Sequence, residues 1–244
     1  MSAQKADIIA QLQKDILLLQ GLRPACNSGV VDVGLGPVKN AFPGATFPTG
    51  AIHEFVSEAA EHAAASAGFI SGLLGALMQN GSVCLWISTS GTIFPPALKA
   101  FGIEPDRVFF ITLQREKDVL WAMEEALKCE GLAAVVGEVR ELDFTASRRL
   151  QLAVEQSRAT GFVLRHQPRR LHATACTSRW RITPLASQLE ARMPGMGFPR
   201  WQVELLKVRN GRPGTWAMEW FAGKFRQVGE HTMVAPQQPV RKIV

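Results

Sequence analysis

Apolar and polar positions change period several times along the chain, and each change predicts an element. Residues 3–20 place Ile8, Ile9, Leu12, Ile16 and Leu19 at helical spacing, with Lys5, Asp7, Gln11, Lys14 and Asp15 mostly elsewhere on the wheel. This predicts an amphipathic helix, ended near Gly21 and Pro24, that packs back on its own domain or docks on another chain. The Gly- and Pro-rich stretch from Gly21 to Gly50 predicts turns, with a short helix around Pro37 to Ala41. Beyond it, apolar strand runs alternate with helical periodicity. Strands are predicted at Ala51–Val56, Val83–Ser88, Arg107–Thr112, Leu132–Val139 and Gly161–Arg165, the second and third as doubly buried runs. Helices are predicted at Ala59–Gln79, Pro96–Phe101, Asp118–Glu130 and 145–159. The many Ala and Gly residues of the first suit close packing on a sheet. Strands separated by helices imply right-handed crossovers and an α/β fold with a mainly parallel central sheet.

After Arg165 the pattern changes. HQPRRLHATACTSRWRITPL reads as a basic loop entering a strand. WQVELLKVRNGRPGTWAMEWFAGKFRQVG reads as a pair of antiparallel strands about a Gly/Pro turn, since Val203, Leu205 and Val208 alternate with Glu204 and Lys207 before Asn210-Gly211. A proline-rich tail with a basic, apolar end closes the chain. The organisation expected is an N-terminal helix over 1–22, a core over 23–228 and a flexible tail over 229–244.

Composition narrows the class. With 244 residues and 47% hydrophobic content, the chain can build one α/β domain with a full core. No apolar run approaches the roughly 20 residues of a membrane span, and Asp7 interrupts what would be a signal sequence, so a cytoplasmic protein is expected. Cys26, Cys84, Cys129 and Cys176 have no C-x-x-C pairing and no histidine at metal spacing; they read as reduced thiols, and no metal site is expected. The net charge of +6 is segregated: residues 1–139 hold 9 Lys+Arg against 14 Asp+Glu, whereas residues 140–212 hold 14 against 5. A basic block of this kind is a surface for phosphate or an acidic partner, or a solvated arginine-rich face.

The strand, turn and helix from Gly50 to Met78 stand where a nucleotide-binding protein keeps its phosphate loop. Such a loop needs Gly-x-x-x-x-Gly-Lys-Ser/Thr, because glycines let backbone N–H groups close on phosphate, lysine neutralises it and the hydroxyl holds magnesium. Here the turn reads SEAAEHAA, with Ala63 at the lysine position and Ala64 at the hydroxyl position. The neighbours His53 and Glu54 face opposite sides of a strand and make no base and orienter pair. His62, His166 and His172 have no ligand spacing, and Ser57, Ser71 and Ser88 have no triad partners. No cofactor is expected.

The order of elements and several strings resemble the RecA-type recombinase core over about residues 30–230. GAIHE (Gly50 to Glu54) sits in the register of the strand that ends in Glu before the phosphate loop. CLWISTSGTIFPPALKAFGIEPDRVFFI matches the next strand, connection and turn, ATACTSRWRI is similar to the strand after the second DNA-binding loop, and LLKVRNGRPGTW is similar to a hairpin of related replicative helicases. Together with FPTGAIHEF and RNGRPGTW…EW, these strings resemble the ImuA family of bacterial inducible-mutagenesis proteins. The resemblance implies a RecA-like core and places two further vacancies: Gly137 where an aspartate would position magnesium, with Glu138 pointing to the opposite face, and Ser90 where a glutamate would polarise water. It therefore implies a protein that is not an enzyme. It also implies RecA and the polymerase-like protein ImuB as partners in SOS-induced translesion DNA synthesis. The loop that meets single-stranded DNA in the resembled fold carries Arg165, Arg169, Arg170, Arg179 and Arg181, with Arg148 and Arg149 opening a nearby helix. Trp180 is a base-stacking or a core residue. Lys207 and Arg209 match residues that reach a neighbour's nucleotide in the helicases, and here read as interface or turn residues beside the interface candidates Ile8, Leu12, Ile16 and Leu19. Alternative classes are a single-stranded DNA binder acting through the basic loop, an ATPase that borrows a lysine from elsewhere, and a cell-division inhibitor of the SulA type, against which length and the C-terminal hairpin count. Phe42-Pro-Gly-Ala45 matches the short Phe-x-x-Ala subunit-linking motif of some recombinases, and its place before the core strand reads as a structural turn.

Overall fold

The computed structural model describes residues 31–79, 81–91, 93–187 and 197–229. The predicted helix bearing Ile8, Leu12, Ile16 and Leu19, and the tail from residue 230, lie outside them. The described chain forms nine strands: β1 (Ile52–Ser57), β2 (Val83–Ser88), β3 (Val108–Thr112), β4 (Leu132–Val139), β5 (Thr160–His166), β6 (Ser178–Leu185), β7 (Arg200–Val208), β8 (Gly214–Phe221) and β9 (Lys224–Gln227). Three α-helices, α1 (Ala60–Leu77), α2 (Glu116–Leu127) and α3 (Phe144–Ser157), alternate with them. Short 3-10 turns cover Gly36–Ala41 and Pro95–Phe101.

All strands join one sheet in the order β3-β2-β4-β5-β1-β6-β7-β8-β9. Neighbours from β3 to β6 are parallel and those from β6 to β9 antiparallel. The helical crossovers cover the parallel part on both faces, which is why β1, β4 and β5 are buried along nearly their whole length rather than at alternate residues, the charged side chains of Glu54, Glu138 and Arg165 included. On one face α1 packs with Phe55, Trp86, Phe162, Trp180 and Trp201 in an aromatic-rich core. On the other, α2 and α3 bury Val119, Met123, Leu127, Leu150 and Val154 over Ile52, Ile87 and Val135. Gly72 of α1 is needed for the first of these layers: a Cβ there would stand 2.5 Å from Phe225 Cζ. Gly75 is as tightly placed, since a Cβ there would run into the Phe101 carbonyl oxygen, so α1 packs closely both on the Phe225 ring of β9 and on the turn that ends at Phe101.

Two expectations change and one open alternative is settled. The Arg107–Thr112 run is not doubly buried. As β3 it forms the edge of the sheet, and Phe109 and Phe110 are exposed at 55% and 39%. The C-terminal pair is a three-stranded meander, because Ala222 and Gly223, both at positive φ, turn the chain back into β9. Trp180 is a core residue, fully buried, with its Nε1 donating to Ser178 Oγ at 2.7 Å. Phe42 is likewise buried, against Phe47 and Trp180, and Gly44 at φ 65° turns the chain behind it. Phe42 to Ala45 is thus a turn of this chain's own core.

Candidate functional site

Strand β1 runs into α1 through only Glu58 and Ala59. Helical geometry begins at Ala60, and the Ala63 N–H already bonds the Ala59 carbonyl at 3.1 Å. From Ala60 on, the positions that would form a phosphate-wrapping loop are instead the first turn of a regular helix, and from Ala63 onward the amides bond the helix's own carbonyls. Glu61 lies in the first turn, where it complements the helix dipole and repels an anion. The strand end is tied to the helix by the buried Ser57 and Ser66 hydroxyls, 3.1 Å apart.

At this end of the sheet is a cavity of about 900 Å³. The small-residue side of α1 lines it, including Ala60, Ala63, Ala64 and Ala67, together with Phe94, Arg140 and His166, and Phe101 and Trp201 close it against α1 at Gly68. Ser90 also lines it, so three of the four vacated positions converge. Gly137 does not. The β4–β5 register sets Glu138 beside Leu164, which is itself beside Phe55 of the α1 layer, so Glu138 faces the cavity and Gly137 faces α2. This corrects the expectation that Glu138 points away. Gly137 is glycine because a Cβ there would lie 2.6 Å from Met123 Sδ. The acidic side chain on the cavity side is thus present, and it is occupied: Glu138 Oε1 accepts from Trp86 Nε1 at 2.5 Å and Oε2 pairs with His166 Nε2 at 3.0 Å. Sequence reasoning missed this trio, although the alternation of β4 relative to Phe55 carried the signal.

The arginines of the basic segment separate into two groups. Arg165 is fully buried: Nη1 donates to Glu54 Oε1 at 2.8 Å, Nη2 to Glu141 Oε2 and to the Arg170 carbonyl at 3.1 Å each, and Nε to the Arg140 carbonyl. Arg179 donates to Glu54 Oε2 at 2.8 Å and to the His172 carbonyl. Arg181 bridges Glu58 and Glu204, and Arg149 pairs with Glu124 of α2 at 2.6 Å. The nucleic-acid assignment of Arg165 is therefore corrected, because its donors are spent inside the protein; Arg179 is spent in the same network. Thr174 completes that network, donating to Glu54 Oε2 at 2.8 Å. Arg148, Arg169 and Arg170 are exposed, and Arg140 joins the latter pair through its bond to the Gln167 carbonyl. The Arg169 N–H, with help from the Arg165 charge, holds the Glu141 carboxyl below the usual carboxylate range.

Lys207 and Arg209 serve the same segment. Lys207 Nζ donates to the Thr174 carbonyl at 2.8 Å and Arg209 Nη2 to the Ala175 carbonyl at 3.1 Å, while Ser147 Oγ accepts from Ala175 N. They hold residues 174–175 against β7. His53 and Glu54 do face opposite sides. His53 is buried between Phe47 and Phe162, and burial lowers its pKa to about 4, against the raising effect of its bond to the Pro48 carbonyl. Since that carbonyl only accepts, Nε2 carries the proton and Nδ1 accepts from Ser178 Oγ at 2.7 Å. Burial also pushes up the thiol pKa values of Cys84, and of Cys176 to about 12, which keeps both protonated. No described helix is long and apolar enough to cross a membrane.

A parallel sheet of this order, with α1 following β1 and a cavity beside that helix's N-terminus, is the RecA-type α/β architecture. The crystal structure of the RadB recombinase shares it, with a TM-score of 0.57 and 14% identity, covering 81% of this chain and 99% of that one. No family model matches the chain. Protein ImuA of Caulobacter vibrioides, in strains NA1000 and ATCC 19089, is 35% identical over 202 residues, spanning 78% of this chain and 83% of the relative. The chain belongs to the ImuA family.

Proposed function

We propose that this chain is a non-catalytic RecA-like adaptor in SOS-induced, error-prone translesion DNA synthesis, binding RecA and the polymerase-like ImuB and modulating the RecA filament. The observation that carries the reading is the regular helix at the phosphate-loop position, with alanine at both residues that would meet phosphate and metal. Family membership and the RecA-type fold support a role linked to damage-induced mutagenesis. A subunit with a recombinase-like surface and no bound nucleotide offers a filament one interface while lacking the ATP that the other requires. The partners are tested by pull-down of the full-length protein with RecA and with ImuB. The filament role is tested by adding the protein at concentrations near that of RecA: filaments shorten and ATP turnover changes, and unchanged length and turnover would refute it.

A second reading is favoured by the three exposed arginines Arg140, Arg169 and Arg170 on neighbouring strand ends. The guanidinium groups of Arg169 and Arg170, with the terminal N–H groups of Arg140 beyond its Nε bond to the Gln167 carbonyl, suit paired bonds to phosphate, so the loop contacts single-stranded DNA directly. Binding that is weak and insensitive to salt would remove this reading.

A further inference from the structure

Helix α3 buries Ser147, Leu150, Gln151 and Val154 toward the core, while its outer side carries Phe144, Arg148 and Leu152 in one stripe, one turn apart. Phe144 and Leu152 are exposed at 58% and 46%. The loop after β5 runs beside the start of this helix. Glu141, just ahead of α3, accepts from the Arg169 N–H, and Ser147 Oγ accepts from the Ala175 N–H. Residues 169–175 therefore pass along the Ser147 side of the first turn, bringing Leu171, exposed at 43%, with Arg169 and Arg170. Phe144 lies only about 60° round the helix from Ser147, so it borders the loop. Three large apolar side chains and three arginines, drawn from two elements, share this surface.

Charge selects the occupant. Elsewhere in the basic segment the arginines are paired: Arg149 with Glu124, Arg165 and Arg179 with Glu54, and Arg181 with Glu58 and Glu204. The side chains of Arg148, Arg169 and Arg170 make no hydrogen bond or ion pair among the described residues; the latter two bond the rest of the chain through backbone atoms alone. Of the nearby acids, Asp143 is held at the helix N-terminus by the Ala146 N–H, and Glu155 stands just beyond Leu152. The surface therefore lacks carboxylates or phosphates from outside. Nucleic acid suits the arginines and the Phe144 ring but offers no apolar side chains to cover Leu152 and Leu171.

We propose that α3 and the 169–175 loop dock an acidic amphipathic helix of a partner protein, its apolar side chains over Phe144, Leu152 and Leu171 and its carboxylates on Arg148, Arg169 and Arg170. Paired arginine–carboxylate bonds set the orientation, and the apolar contacts supply affinity. The inference rests on the adaptor reading and gives one of the adaptor's partners a chemistry. Because Arg169 and Arg170 belong also to the loop of the DNA reading, such a helix and single-stranded DNA exclude one another there.

The test titrates the full-length protein into a fluorescent helical peptide of about 14 residues, the length of α3, with leucines one turn apart and glutamates flanking them. A control peptide has alanine for leucine, and a single-stranded oligothymidylate is titrated alongside. The leucine peptide binds, and Phe144→Ala with Leu152→Ala weakens it about tenfold or more, as does Arg148→Glu. Thermal melts of these variants match the parent, since the side chains are exposed, and the Phe144→Ala, Leu152→Ala variant binds oligothymidylate unchanged. Equal binding of the alanine control, or binding of oligothymidylate alone, would overturn the proposal. Dimers of the parent that the same variant dissociates would overturn it in favour of a second copy. Pull-downs separate it from the adaptor reading. RecA or ImuB captured equally by parent and variant leaves that reading standing and overturns the surface; capture of neither refutes the reading, and the peptide titration still decides the surface.

Discussion

Glu54 is the residue whose loss the structure makes most costly. Its carboxylate, fully buried in β1, accepts from Arg165, Arg179 and Thr174, each at 2.8 Å. Glu54→Gln keeps the shape, removes the charge and turns an amide donor toward one of the two guanidinium groups, since Arg165 and Arg179 bond different oxygens. Removing one partner of a buried pair costs about 3–5 kcal/mol, because the other charge stays desolvated. Arg165 keeps Glu141, a half-exposed carboxylate at 3.1 Å, and Arg179 can relax toward solvent, so the lower end applies. A loss of about 3 kcal/mol in a chain of this size lowers Tm by about 6–12 °C. Urea unfolding and thermal melts at neutral pH measure it, and exchange of the amides around Thr174 rises in parallel. Replacing both charges, Glu54→Leu with Arg165→Met, recovers part of the loss, since an apolar pair of similar volume carries no desolvation cost. A single-variant loss below about 1 kcal/mol would refute the reasoning, as exposed pairs give values of that size.

Other expectations follow from the same geometry. Ala63→Lys with Ala64→Thr creates neither ATP hydrolysis nor ATP-dependent thermal stabilisation, because helix α1 already occupies the loop; measurable turnover in that variant counts against the reading. Gly137→Ala destabilises by about 1–3 kcal/mol through overpacking against Met123 Sδ, and a neutral effect in thermal melts would mean that β4 faces the other way. His53, with a pKa near 4 in the fold and 6.5 outside it, contributes stability that is fully present above pH 6.5 and is lost as pH falls toward 4. The loss reaches about 3 kcal/mol, read from urea midpoints across that window, and His53→Gln flattens the slope. Arg169→Ala with Arg170→Ala weakens single-stranded DNA binding and lowers the salt slope by about 1.4, if both contact phosphate; an unchanged slope assigns binding elsewhere.

Much of the fold was legible in the chain because it is written in local periods. Apolar runs such as VCLWIS and LAAVVGEV, short and bounded by turn residues, read as buried strands, and the helical stripes between them require crossovers. The missing lysine and hydroxyl were legible too, since a strand, turn and helix are contiguous in sequence. The edge position of β3 was not: VFFIT is as apolar as its neighbours, and only the strand order leaves it uncovered. Strand β9 escaped notice because four residues after a tight turn carry too little periodicity to register.

The sequence by itself determined the composition of the site, alanines where phosphate chemistry needs lysine and threonine, and a concentration of arginines after Arg165. Tertiary structure alone decided what those residues face. Glu54 and Arg165 are 111 positions apart and meet because β1 and β5 are neighbours in the sheet, so the burial of that arginine is a property of strand order. The direction of Glu138 is likewise set by the register of β4 on β5. A one-residue change of register exchanges the two faces of a strand, and no single strand records its own register.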